Sequence, residues 1–399
     1  MNSPNTVDAS AQDMGTIVSR SRDLLFRIAD GIQTPETYSS PFLGQGSVLN
    51  SIVLTEAGEL RAQDEDIVSA AQHLRHGMQM LDAMPLSSSL YRGITGFGWA
   101  VQTFPKPEFF PERDELLCDL DELLADGVEV TRNPNIDLIN GLAGIAVYAL
   151  SRGNHEASSK GLWSALDQAF CDYLRGWSPG VHYPEKSAAN NLGVAHGVPG
   201  LLAVGAVACA KGWMSESAMR TISAGFETLW SNARRQDGHF CYPVYDSAPK
   251  RARLAWCYGS LGIAAAFRHA IALDDANTER FESMVASSLQ QYASGDHGIR
   301  DASLCHGEAG VALSLEYLAQ GSSLSSEIRG AVREQSLRAS RIALDSEKRD
   351  MGEGAYLHST AEGMKVLPSF LEGGAGVALA IVSAYAERPR PWMALLGYY

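Results

Sequence analysis

The chain has 399 residues, 45% of them apolar, and carries 46 acidic against 32 basic side chains, a formal charge of −14. That balance argues against a nucleic-acid partner, which needs a basic face to displace counterions. The apolar content suffices for a large core.

Residues 1–15 are polar and lack the apolar run of a signal peptide, so a disordered tail is expected ahead of one unit spanning 16–399. The longest apolar stretches, such as GVPGLLAVGAVACA, fall short of the roughly 18 residues a membrane span needs and read as buried helices. Six cysteines with no tight framework suit a reducing compartment. A cytoplasmic protein that does not span a membrane is expected.

From residue 42 one pattern recurs: small or polar residues, glycine, then an apolar run. In chain order the copies are FLGQGSVLNSIVL, YRGITGFGWAVQ, LINGLAGIAVYAL, VAHGVPGLLAVGAVA, WCYGSLGIAAAF, LCHGEAGVALSLEYLA and LEGGAGVALAIVSAYA. Aligned on one glycine, they fall at Gly46, Gly96, Gly144, Gly200, Gly262, Gly310 and Gly376, spaced by 50, 48, 56, 62, 48 and 66 residues. A period near 50 residues marks a repeat architecture.

Between the copies lie segments with one apolar face at helical spacing, such as SKGLWSALDQAFCDYLRGW, SESAMRTISAGFETLWSNARR and EIRGAVREQSLRASRIAL. Each unit therefore predicts two helices. The apolar one must be buried, and the amphipathic one borders solvent. Seven of each predict an all-α, double-layered ring. An open solenoid is the alternative, but the last copy is as apolar as the middle ones and offers no polar cap. The first glycine of each copy is expected to take φ > 0 or a tight turn. The second is expected to let neighbouring inner helices approach. The helix N-termini would aim N–H groups at the central cavity, which favours thiolates and other anions.

Two copies carry metal-ligand residues at matched places. Cys257 precedes Tyr258-Gly259, and Cys305-His306 precedes Gly307. Adjacent residues of a helix diverge by about 100°, so Cys305 and His306 can face one ion only from the non-helical turn ahead of the helix. Neighbouring repeats place equivalent turns side by side. Two cysteines and a histidine then predict zinc with one coordination position open, the pattern of a catalytic rather than a structural site. The bland alternative is two buried thiols and an unrelated histidine. Glu308 and Glu372, matched in the last two copies, are expected to line the cavity or cap helices.

The series HG-x-x-G, WCYG and CHG-x-AG inside glycine repeats resembles the lanthionine synthetase C-like family, the stand-alone cyclases of class I lanthipeptide biosynthesis. The likeness runs from the first repeat to the closing PWMALLGYY. It implies an α/α toroid of seven inner and seven outer helices. It implies one Zn2+ per chain on Cys257, Cys305 and His306. Carried over residue by residue, it assigns chemistry to His196 of HGVPG, Asp137 of NIDLINGLAG, Arg253 of RLAWC, and Tyr258 after the first zinc cysteine.

The activity implied is addition of peptide cysteine thiols to dehydroalanine or dehydrobutyrine, forming lanthionine or methyllanthionine rings. The partners implied are a dehydrated precursor peptide with its leader, a dehydratase, and a transporter in a membrane-associated complex. His196 would act as acid or base, since imidazole titrates near neutrality. Asp137 would orient it. Arg253 would stabilise the enolate oxygen or hold Asp137, and Tyr258 would donate a hydrogen bond beside the metal. Two other readings share the triad: a related enzyme adding glutathione or another thiol to dehydroamino acids, and a zinc-containing peptide-binding scaffold. An α/α-toroid glycosidase would need a pair of suitably spaced carboxylates, for which the sequence makes no strong case.

Overall fold

The computed structural model describes residues 4–35, 40–131, 134–177, 191–320, 324–360 and 362–399, with side chains from residue 12 onward. The glycine-headed apolar runs fold as seven helices: α2 (Ser47–Arg61), α4 (Ile94–Thr103), α6 (Leu142–Arg152), α8 (Val198–Ala210), α10 (Ser260–Ala270), α12 (Glu308–Ala319) and α14 (Gly374–Ala384). The amphipathic runs form seven more: α1 (Pro4–Gly31), α3 (Asp64–Leu81), α5 (Arg113–Val130), α7 (Ala157–Arg175), α9 (Glu216–Ser231), α11 (Asn277–Ala293) and α13 (Ser326–Asp345).

The first set packs in sequence, each helix on the next, and α14 returns to α2. This closes an inner ring and excludes the open solenoid. The second set covers it. The inner helices are buried almost along their whole length, as α8 and α14 show. The outer helices bury one stripe; in α9 it is Ala218, Ile222, Phe226 and Leu229. Ser215 and Ser325 start α9 and α13 by accepting the N–H of Ala218 (3.1 Å) and Ile328 (3.2 Å). Between α5, α6 and α7, the buried Asp121 takes the Arg152 guanidinium (2.9 Å), Tyr148 Oη–H (2.8 Å) and Ser158 Oγ–H (2.9 Å).

The turns ahead of the seven inner helices are joined by a closed belt of backbone hydrogen bonds. Gly44 N–H donates to Tyr91 O, Tyr91 N–H to Ile139 O, Leu138 N–H to Ala195 O, and Ala195 N–H to Cys257 O. Cys257 N–H then donates to Cys305 O, Cys305 N–H to Leu371 O, and Phe370 N–H to Gly44 O, completing the circle. Two of the expected metal ligands are therefore links of the belt.

The glycines close tight turns as expected, mostly without positive φ. The residue preceding each inner helix is glycine, but only Gly46 (φ 130°) and Gly259 (φ 97°) have positive φ there. The second glycine serves its own turn and also the approach of the preceding repeat: a Cβ on Gly144 would sit 2.6 Å from Leu138 O and 2.9 Å from Leu90 Cβ, and one on Gly262 2.1 Å from Trp256 O and 2.9 Å from Val194 Cγ2. A Cβ on Gly310 would sit 2.0 Å from Leu304 O, and one on Gly376 would sit 1.8 Å from Phe370 O. The first repeat is also shifted by three residues. Gly46 precedes α2, so Leu49 holds the place that Gly96 holds in α4.

The tail expected over residues 1–15 is replaced from Pro4 by α1. Helical packing explains the difference: Asp13 pairs with Arg341 of α13, Met14 packs on the core, and Ile17 is buried.

Two antiparallel hairpins, β1 (Arg234–Gln236) with β2 (His239–Cys241) and β3 (Leu357–Thr360) with β4 (Gly363–Val366), lie in connections that the helical reading left blank. The last residues fill the ring. Following a 3-10 turn at Pro391–Leu396, Leu395 O accepts from Tyr91 Oη (2.9 Å), Leu396 O from Trp256 Nε1 (2.9 Å), and Tyr399 O from Tyr317 Oη (3.0 Å). Tyr398 stacks on Tyr317, with ring centroids 4.2 Å apart.

Candidate metal centre and active site

The belt determines what faces the cavity. Cys257 and Cys305 occupy the same place in successive turns, two residues ahead of the glycine that starts each helix, and His306 follows Cys305 before α12 begins. Their two Sγ atoms and one His306 ring nitrogen lie within 4.8 Å of one another. Among the described residues this is the single group of three or more His, Cys, Asp or Glu side chains close enough to hold a metal.

The donor set suits zinc: two soft thiolates and an imidazole, three of the four ligands such an ion takes. A tetrahedral zinc, with Zn–S about 2.3 Å and Zn–N about 2.0 Å, sets its donors roughly 3.5–3.8 Å apart. The cluster need contract by about 1 Å at most. His306 Nε2 is buried and makes no well-aligned hydrogen bond; the carboxylate oxygen Oδ2 of Asp301 lies 3.3 Å from it. A proton held on Nε2 leaves Nδ1 with a lone pair for a metal.

The electrostatics favour an ionised cluster. A hydrogen bond from the Cys305 thiol, with help from His306, pulls Cys257 down to about 5 against the cost of burial. Cys305, sharing its proton with Cys257 and buried beside it, moves up. Burial opposes charge on His306, but Asp301 and Cys257 outweigh it and raise the imidazole to about 9. These directions favour negative charge on Cys257 and positive charge on His306, protons for which a cation would compete.

Next around the belt stands a second pair. His196 follows the belt residue Ala195, and its Nδ1 lies 3.2 Å from Asp137 Oδ2. Asp137 is buried and also accepts the Asn140 N–H. Burial works against its charge, yet His196 and Asn140 hold its carboxyl below the usual range. The same contact raises His196. His196 is 44% exposed and lines a cavity of about 680 Å³ with Gly44, Tyr91, Ile139 and Leu371 of the belt, and with Glu372. With Nδ1 on Asp137, Nε2 is the nitrogen available to a bound molecule.

Tyr258 connects the two groups. Its ring centroid is 6.3 Å from that of His196, and its Oη accepts Asn191 Nδ2–H at 3.0 Å. Gly193 makes room for it: a Cβ there would be 2.4 Å from Tyr258 Cε1 and 2.7 Å from Cys257 O. Arg253 is exposed and is not a partner of Asp137. It lines a recess of about 390 Å³ with Gly298, Arg300, Ser359 and Thr360. Its charge still reaches both cysteines, as the smallest of the effects lowering Cys257. The two glutamates expected to match do not: Glu372, following belt residue Leu371, holds the place of His306 and lines the cavity, while Glu308 lies inside α12, buried against Tyr292 Oη–H (2.5 Å). A larger recess of about 940 Å³, with Trp163 and Trp213 in its wall, shares no residue with these groups.

The sequence reading missed Asp301 and Gly193. Asp301 stands four residues before Cys305, with no motif to single it out. Gly193 lies beside the HGVPG signature but outside it.

The family described as "Lanthionine synthetase C-like protein" matches residues 37–396. No curated protein sequence matches significantly. Among solved structures, one titled "Nisin cyclase" superposes with a TM-score of 0.71 at 18% sequence identity, covering 96% of this chain and 98% of that one. The likeness establishes the shared toroidal fold.

Proposed function

Because the chain belongs to the lanthionine synthetase C-like family, we propose that it is a zinc-dependent lanthipeptide cyclase, closing thioether rings in a dehydrated, leader-bearing precursor peptide. The observation that carries this reading is the convergence of Cys257, Cys305 and His306 within 4.8 Å, near a cavity lined by His196, which Asp137 holds, and by Leu371, the belt partner of Cys305.

A bound zinc would supply the Lewis acidity that makes a cysteine thiol, ordinarily near pKa 8.5, a thiolate at neutral pH. The chain's own residues supply the rest. Cys257, Cys305 and His306 would hold the ion and leave one position for substrate sulfur. The reaction adds S–H across the dehydro residue's C=C bond. An S–Cβ bond forms, the π electrons move toward the α-carbon and its carbonyl, and a proton arrives at Cα. No oxidant or reductant is needed.

His196 would accept the thiol's proton and return one to Cα. Asp137 holds its Nδ1, directs Nε2 to the cavity, and raises the fraction protonated near neutrality, which suits proton donation. Arg253 in its recess would offset negative charge developing on the carbonyl oxygen. Tyr258 would steady the wall between His196 and the cysteines.

The test is ring formation in a synthetic peptide containing one dehydroalanine and one downstream cysteine. Cyclisation leaves the mass unchanged, so it is read as loss of thiol alkylation, with chiral analysis separating catalysed from spontaneous rings. Zinc is measured in the same samples. One zinc per chain, a single ring stereoisomer, and loss of both with Cys305→Ala are expected. A mixture of ring diastereomers formed at the uncatalysed rate by the zinc-loaded protein would sink the reading.

A further inference from the structure

Asp301 has no part in the motifs, yet it contacts the metal cluster and two other elements at once. Its side chain is fully buried. Oδ1 accepts Ser303 N–H (3.0 Å) and Ser303 Oγ–H (2.7 Å). Oδ2 accepts Ser359 N–H of β3 (3.1 Å) and lies 3.3 Å from His306 Nε2. Ser303 Oγ in turn accepts the His306 N–H (3.3 Å), so both ends of the ligand histidine are tied to one small network. A Cβ on Gly307 would sit 2.5 Å from Asp301 Oδ1, so the glycine heading α12 also keeps the carboxylate in place.

A buried carboxylate costs stability unless its lone pairs are used. Three N–H or O–H donors use three of them here, and the remaining direction faces His306. We propose that Asp301 is a positioning residue for the metal centre: its carboxylate commits the His306 proton to Nε2, leaves Nδ1 as the metal-binding nitrogen, and anchors the β3–β4 hairpin to the ligand set through Ser359. The proposal rests on the reading of Cys257, Cys305 and His306 as metal ligands. It extends that reading because it assigns the tautomer, and because it makes the hairpin part of the metal centre's support. Ser359 and Thr360 of that hairpin wall the recess that contains Arg253, so the carboxylate also joins the metal cluster to a wall of the adjoining recess.

The probe is zinc itself, titrated against a chromophoric chelator on the full chain. Asp301→Ala is expected to weaken zinc about 10–100-fold, the usual loss when a ligand's outer carboxylate is removed, with stoichiometry still one per chain. Asp301→Asn keeps an acceptor and is expected to fall between wild type and Asp301→Ala. It also serves if the alanine variant fails to fold. Two further readouts separate positioning from plain stability. Long-range 15N–1H spectra of the zinc-loaded protein, in which the ring is neutral, should show the His306 proton on Nε2 in wild type and an altered or mixed Nε2 signal in the variant. Amide exchange at Ser359 should speed up.

Faster Ser359 exchange with zinc affinity unchanged would mean that Asp301 only docks the hairpin, and the proposal falls. If His306→Ala also binds zinc as wild type does, the metal-centre reading itself falls. Wild-type affinity in the Asp301 variants with loss in His306→Ala overturns the proposal alone.

Discussion

At the scale of single residues, the site divides into the cysteines and histidine of the belt turns and a second histidine, His196, that stands partly in solvent. Asp137 raises His196 and is itself lowered, and the pH behaviour follows from those directions. The protonated pair contributes fully to stability below the ordinary imidazole pKa, and that contribution fades as pH rises through the elevated one. On the carboxylate side it is present above the unfolded Asp value and is lost as pH falls through the depressed one. If His196 delivers the proton to Cα, cyclisation should decline on the alkaline side with an apparent pKa above 6.5. Asp137→Asn should move that limb to lower pH, and an unmoved limb would detach Asp137 from the chemistry. His196→Gln should keep zinc bound and lower the ring-closing rate by about 10²–10⁴-fold. Gly193→Ala tests the wall: its Cβ must displace the Tyr258 ring or the Cys257 carbonyl. We expect weaker zinc binding with little change in far-UV circular dichroism.

At the scale of elements, each inner helix depends on the turn before it more than on its own sequence. These helices are short, mostly 10–13 residues, too short to persist alone in water. Their stability comes from burial on both sides and from the turn that the paired glycines permit. Gly310→Ala would bring a methyl group within 2.0 Å of Leu304 O, in the turn that carries Cys305 and His306. A shifted turn costs about 1–3 kcal/mol in overpacking, and the loss should show both in denaturant unfolding and in zinc affinity. The outer layer has a different weak point. Asp121 is fully buried and paired with an almost fully buried Arg152. Asp121→Ala would leave that guanidinium without its charge partner, a loss of about 3–5 kcal/mol, seen as a lowered denaturation midpoint with the metal site chemically intact.

At the scale of the whole molecule, ring closure and the terminal segment act together. The belt fixes seven turns around one mouth, and the segment ending at Tyr399 fills the axis through bonds to Tyr91, Trp256 and Tyr317. Trp256 precedes Cys257, so the plug braces the Cys257, Cys305 and His306 cluster from inside. Tyr398→Ala removes a stacked ring and the hydrogen bond shared with Ser314 Oγ (2.7 Å). Its expected cost is about 3–5 kcal/mol, as for other large aromatic truncations. Calorimetry of the metal-free protein checks it; an unchanged transition would show the plug to be a passenger. None of the helices among the described residues is long and apolar enough to cross a membrane.

The repeat was legible because each unit writes the same physical requirement into the chain: glycine where the turn closes on itself, then small apolar residues where a helix is buried on every side. The number of helices, the two layers and the matched places of Cys257 and Cys305 followed from that periodicity. The register of the first repeat did not, because Gly46 and Leu49 differ from the later copies in which position keeps its glycine. The asymmetric parts were not legible either. α1 in place of a tail, the β3–β4 hairpin, the axial plug and the buried carboxylate of Asp301 each depend on partners hundreds of residues away or on a backbone N–H, which no local pattern records. The sequence by itself determined that two thiols and an imidazole would be delivered by equivalent turns. Only the closed ring decided that those turns stand side by side, since a linear stack and a circle share one repeat and differ only in whether the last helix meets the first.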